Sequence, residues 1–168
     1  GFSTVILFSS STLYHYYKQK EDEDSIWRKL DHFSIFIMIA GTYTPIAYAF
    51  LSGYWRWVII VLQWSLVAGG FFFKFYYLKA PRYLYTLIYL IMGWTGIIPI
   101  KIFLQTMPSK ALLYLFSGGI SYTIGAIFYI LKKPTISKGL GFHEIFHVLI
   151  LSGAVFHYML VLTAVNAF

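Results

Sequence analysis

Cysteine is absent from the 168 residues, which excludes disulfide scaffolds and metal sites built on thiolates. Acidic residues are nearly absent too: six Asp and Glu stand against 13 Lys and Arg, and only 11% of the chain is charged. A soluble domain carries roughly 25% charged residues. With 59% apolar and 21% aromatic residues and a mean hydropathy of +0.69, too little polar surface is left to coat a water-soluble globule. The same composition is too apolar for a disordered chain. The net charge of +7 does not read as nucleic-acid binding, because the basic residues stand in short clusters between long apolar runs.

A helix needs about 20 residues to cross roughly 30 Å of hydrocarbon. Five runs meet that length: Leu30 to Leu51, Trp55 to Leu78, Tyr83 to Leu104, Ala111 to Leu131 and Phe142 to Val165. A sixth, Phe2 to Tyr17, is shorter and reads as clipped at its start. None alternates polar and apolar as an outer-membrane strand does. The expectation is an all-α, polytopic membrane bundle of six spans forming one domain over residues 1–168. Ser52–Gly53, Ala80–Pro81, Met107–Pro108 and Lys133–Pro134 punctuate the boundaries, and the acidic run Glu21–Asp24 reads as a solvated turn with Asp24 or Ser25 capping the next helix.

Numbering the loops alternately puts ten of the 13 Lys and Arg on one side and three, Arg56, Lys101 and Lys110, on the other. That bias assigns the first side to the cytoplasm. Trp27, Trp55, Trp57, Tyr76, Tyr77, Tyr83 and Tyr85 fall near span ends, as an interfacial belt would. Ser117, Ser121 and Gly125 form a small-residue stripe, read as packing within the chain rather than as a dimer face.

Ionisable residues in or at the ends of spans are costly unless they function. His15 closes the first span four residues after Ser11, Asp31 opens the second, and His143 and His147 begin the last. All belong to the cytoplasmic end in this orientation. Four residues on a helix are about 400° and 6 Å apart, so His143 and His147 share a face, the geometry of two ligands to one metal. With His15 added, three imidazoles suit Zn²⁺ with water in the fourth position; histidines that merely bond backbone or headgroups are the alternative. His143-Glu144-Ile145-Phe146-His147 also matches the HExxH pattern, but Glu144 is read as a helix-start carboxylate that favours the dipole. His32 is expected at the interface, and His157, about 15 Å beyond His147, as a packing or relay histidine.

Ser11-Thr-Leu-Tyr-His15, Leu30-Asp31-His32 and Ile39-Ala-Gly-Thr-Tyr-Thr-Pro45 resemble the opening motifs of the hemolysin III family. Met92-Gly-Trp94, Gly119 to Gly125 with Phe128-Tyr129, and Phe142-His-Glu-Ile-Phe-His147 continue the match in order, over essentially the whole chain. That family is similar to the adiponectin and progestin receptors and is grouped with alkaline ceramidases. The resemblance implies a seven-helix bundle with a cytoplasmic N-terminus, whose first helix would precede Gly1. It also implies Zn²⁺ on His15, His143 and His147, with Asp31 holding a water on the metal and Ser11 behind it. The function so implied is a zinc-dependent hydrolase of a ceramide-like lipid amide in a bacterial inner or plasma membrane. A pore-forming cytolysin and a zinc-stabilised lipid sensor without chemistry are the alternatives, and no nucleic-acid partner is expected.

Overall fold

Hydrocarbon offers the backbone no hydrogen bonds, so a chain of this composition must satisfy its own amides locally, and helices do so. A computed structural model describes residues 1–20, 25–76, 81–137 and 140–166. They form α1 (Phe2–Tyr17), α2 (Ile26–Phe50), α3 (Gly53–Tyr76), α4 (Arg82–Gly93), a 3₁₀ turn (Trp94–Ile97), α5 (Ile100–Thr106), α6 (Ser109–Leu131), strands β1 (Thr135–Ser137) and β2 (Leu140–Gly141), and α7 (Phe142–Val165). The chain divides into two units: Gly1–Tyr48 with Ser52–Ala80, and Ala49–Leu51 with Pro81–Phe168. The acidic run Glu21–Asp24, with Asp24 as a cap, and Tyr77, Lys79 and Lys138 lie outside the described residues.

In the first unit α1, α2 and α3 pack through small residues. Gly41 admits Ser3 of α1, whose Oγ would lie 2.5 Å from an added Cβ, and Gly70 of α3 admits the Phe36 ring of α2 at 2.6 Å. Ser25 caps α2, its Oγ accepting the Arg28 backbone N–H at 3.3 Å, as expected of a serine in that place. Pro45 sits inside α2. The hydroxyl of Thr44 beside it donates to the Ala40 carbonyl at 2.8 Å and accepts the Trp64 indole N–H at 3.1 Å. Gly53 opens α3 at φ +51, a backbone that favours glycine, so α2 and α3 join through Leu51 and Ser52 alone.

The second unit bends one expected span at the proline that reads from the sequence as a tolerated kink. The run from Tyr83 to Leu104 is not one straight helix but two pieces, Tyr83–Ile97 and Ile100–Thr106, bent by 54°. Pro99 lacks an amide hydrogen and clashes with the preceding turn, and Gly93 and Gly96 weaken the helix before it. The Trp94 indole N–H donates to Thr123 Oγ1 of α6 at 3.1 Å, and the Thr106 hydroxyl to the Phe50 carbonyl at 2.9 Å. α6 and α7 run against each other: Gly118 accommodates the His157 ring, Gly125 meets Leu149, and Gly153 meets the Tyr122 ring at 2.9 Å from an added Cβ. Gly125 thus packs within the chain. β1 and β2 pair antiparallel, Thr135 with Gly141 and Ser137 with Leu140, a ribbon the expectation of an all-helical chain omitted.

Among the described residues, four helices are long and apolar enough to cross a bilayer, and up to five crossings result if the bent pair is one. At 16 residues α1 reaches only about 24 Å. Trp57, Tyr76 and Tyr83 are well exposed, as belt residues must be, whereas Tyr85 is 3% exposed and belongs to the core.

Candidate functional site

The second unit supplies a histidine pair. α7 begins at Phe142 directly after β2, with Gly141 as its N-cap. Glu144 accepts the Gly141 backbone N–H through Oε2 at 2.8 Å. This is the carboxylate half of a capping box, since a glycine cap has no side chain to return the bond. Glu144 is therefore occupied in fixing the helix start, as its place in the first turn suggests. One residue before it and three after, His143 and His147 bring their Nε2 atoms to 3.1 Å, with the rings edge to face and their centroids 4.5 Å apart. His143 is half-buried and His147 exposed.

The first unit supplies an acid–base cluster. Ser11 and His15 are one turn apart on α1, and the Ser11 hydroxyl hydrogen-bonds the half-buried Asp31 carboxyl on the first turns of α2. Beside His15 lies the buried Tyr14, their rings 5.3 Å apart. By unit, Ser11, His15 and Asp31 belong to the first and His143 and His147 to the second, and His15 is an exposed side chain at the end of α1.

Lys74 was missed as a site residue and taken only as part of the basic loops. Its side chain is 0% exposed, its Nζ is hydrogen-bonded to His32 Nδ1, and it lies within electrostatic reach of Asp31. A signal existed: Ile59, Gln63, Val67, Gly70 and Lys74 are the buried residues of α3, spaced by three and four as one helix face. His32, expected at the interface, instead turns toward this lysine. His157 meets its expectation as a packing residue: its Nε2–H donates to the Leu115 carbonyl at 3.4 Å and its ring stands edge-on to Tyr122.

Apolar helices of crossing length, with ionisable residues gathered at helix ends, define a helical membrane protein with a candidate metal and acid–base site. The match to known proteins is more specific. The model of the family described as "Haemolysin-III related" matches residues 1–158, and this chain belongs to that family. It is 39% identical over 154 residues to "Hemolysin-3 homolog" of Bacillus subtilis (strain 168), covering 92% of this chain and 70% of that protein. It is 34% identical over 162 residues to "Hemolysin-3" of Bacillus cereus, covering 96% and 71%. More distant is "Heptahelical transmembrane protein ADIPOR2" of rice (Oryza sativa subsp. japonica), 30% identical over 159 residues, 84% of this chain and 69% of that one. No solved structure gives a significant match.

Proposed function

We propose that this chain is a zinc-dependent hydrolase of a lipid amide, with His15, His143 and His147 holding the metal and Asp31 acting as its acid–base partner. The observation that carries the reading is the 3.1 Å separation of the His143 and His147 Nε2 atoms. Two nitrogens each ~2.0–2.1 Å from a tetrahedral zinc lie about 3.4 Å apart, so the pair needs only a small ring rotation to fit. A donor set of imidazoles without thiols suits zinc over calcium or magnesium. A bound zinc supplies an activated water and a Lewis acid for the carbonyl.

The remaining work falls to the chain. Asp31 takes a proton and returns it to the leaving amine. Ser11 keeps the carboxyl aimed through its hydrogen bond. Glu144, engaged by Gly141, holds the turn that carries both histidines and takes no proton. The exposed apolar faces of the crossing helices, such as Val61 of α3, Leu113 of α6 and Val148 of α7, suit an acyl-chain substrate delivered from the membrane. A ceramide-like N-acyl lipid places its amide at the depth of a helix end. Six crossings, with the ten-to-three basic bias turning this end to the cytoplasm, complete the proposal.

Purified full-length chain and its His143→Ala/His147→Ala variant should be compared for metal by mass spectrometry and for fatty-acid release from a short-chain ceramide. About one zinc per chain, lost in the variant together with release, is the expected result. The name "Hemolysin-3" of the Bacillus cereus relative favours a second reading, membrane lysis. Dye leakage from liposomes that is insensitive to a chelator would establish that reading instead. Zinc without fatty-acid release would leave a zinc-stabilised membrane protein.

A further inference from the structure

We infer that the ribbon of β1 and β2, with Lys132 and Lys133 leading into it, is a docking element for the phosphate of an anionic membrane phospholipid, set beside the histidine pair. This role is separate from the hydrolase reading and holds whether or not the chain turns a lipid over. Connectivity sets the depth. α6 and α7 are both long and apolar enough to cross a bilayer; α6 ends at Leu131, and α7 starts directly after β2. The ribbon that joins them therefore lies where hydrocarbon gives way to headgroups. The rings of Tyr129 and Phe146, 4.7 Å apart, hold the two helix ends together. The Pro134 carbonyl lies 3.9 Å from the position of a Cβ added at Gly141, so Lys133 is tied to the turn that presents His143.

The side chains suit that depth. Ile136 is 63% and Leu140 44% exposed, apolar surface that the chain itself leaves uncovered. Strands of three and two residues are too short to be stable alone, and contact with a surface supports them. Lys132 and Lys133 are exposed. Glu144 is the only acidic residue from Pro81 to Phe168, and the Gly141 amide occupies it, so no side-chain carboxylate of this unit is left for the lysines. Lys132 stands at the C-cap of α6 with φ 52, a left-handed backbone that glycine usually supplies. The helix dipole favours a cation there, but it accounts neither for Lys133 nor for the two bared apolar residues beyond. Apolar side chains beside ammonium groups are what an interfacial segment presents: the first enter the acyl boundary and the second meet anionic headgroups. A free anion would answer the lysines and leave Ile136 and Leu140 in water; a lipid answers both.

The test needs neither zinc nor turnover. Because the chain has no cysteine, Ser137→Cys gives one attachment point for a nitrobenzoxadiazole label in the purified full chain, with Ile136 and Leu140 intact. The labelled protein is placed in nanodiscs of phosphatidylcholine alone or with phosphatidylglycerol, and the rate of quenching by aqueous dithionite is read. Quenching should be several-fold slower, and the emission shifted to the blue, with phosphatidylglycerol. Lys132→Gln/Lys133→Gln should abolish the difference, and Lys132→Arg/Lys133→Arg should keep it. Equal quenching in the two lipids, fast or slow, overturns the inference, and so does a difference that survives in the glutamine pair. Inorganic phosphate added to the phosphatidylcholine nanodiscs should leave the label as accessible as before; protection by it would assign the lysines to a free anion and overturn the lipid. Zinc content and ceramide hydrolysis are separate readings, so failure of the proposed function leaves this result standing.

Discussion

The Nε2 atoms of His143 and His147 stand 3.1 Å apart on successive turns of α7, with their rings edge to face. A spacing of four residues places two side chains on one helical face, but it does not make the rings converge. Convergence here follows from where the helix starts. The bond from the Gly141 amide to Glu144 fixes the first turn, and the T-shaped contact of Phe142 with His143 and the tilted contact of Phe146 with His147 flank the pair. Gly141, Phe142, Glu144 and Phe146 thus build the polar end of α7 around the pair.

Metal removal should act through this pair. A zinc that binds the folded chain stabilises it by about 2.7 kcal/mol at a free concentration one hundred times its Kd. Thermal melts of the detergent-solubilised protein should therefore fall on chelation and recover on adding zinc. His143→Ala should lower the melting temperature without chelator and abolish the response to it. A wild-type melt that is indifferent to chelator would refute a bound metal.

Glu144 separates two uses of the same five residues. If it were the general base of an HExxH enzyme, Glu144→Gln would remove turnover. Its bond to Gly141 predicts the reverse: metal content, turnover and melting temperature persist, because a glutamine oxygen accepts the same amide hydrogen. Single-turnover lipid cleavage together with a thermal melt distinguishes the two.

Asp31→Asn keeps the shape of the side chain and removes its proton chemistry. Fatty-acid release should fall by about 10²- to 10⁴-fold, the usual weight of general acid–base catalysis, while zinc content stays at the wild-type level. Ser11→Ala, which deletes only the hydroxyl bonded to Asp31, should lower release less. Release rates and metal analysis on the same samples check both.

Two adjacent glycines provide a control for the packing of the first unit. An added Cβ at Gly69 meets nothing within 4 Å, whereas at Gly70 it would lie 2.6 Å from the Phe36 ring. Gly69→Ala should be neutral or stabilise by up to about 1 kcal/mol through helix propensity. Gly70→Ala should destabilise by about 1–3 kcal/mol, as overpacking does. Equal melts for the two variants would show that α3 does not pack by this face.

Ser25→Ala removes the side chain that accepts the Arg28 amide. The expected cost is about 1 kcal/mol, concentrated in fraying of the first turn of α2. Hydrogen exchange at residues 26–29 reads it directly, since Asp31 and its partners lie just beyond.

Much of the secondary structure was legible because long apolar runs leave the backbone no other way to satisfy its amides. The first helix and the last have the bounds expected, Phe2–Tyr17 and Phe142–Val165. The fourth expected segment, in which Pro99 reads as a tolerated kink, is present as two helices. Its apolar content is continuous from Tyr83 to Leu104, and composition alone does not set how sharply a proline bends such a run. In the fold Pro99, following Gly93 and Gly96, breaks the run into pieces bent by 54°. The ribbon of β1 and β2 escaped notice for the opposite reason: three and two residues are too few for a period to register.

The sequence by itself determined the helical membrane class, the histidine pair and the carboxyl at a helix end. Those depend on composition and on spacing along one element, and both are properties of the chain. Tertiary structure alone decided that Ser11 bonds Asp31, that His32 turns to Lys74 and that Glu144 spends its carboxylate on Gly141. Each of those facts depends on how one element is rotated or begun against its neighbour. Local periodicity sets which residues share a face, and only packing sets what that face meets.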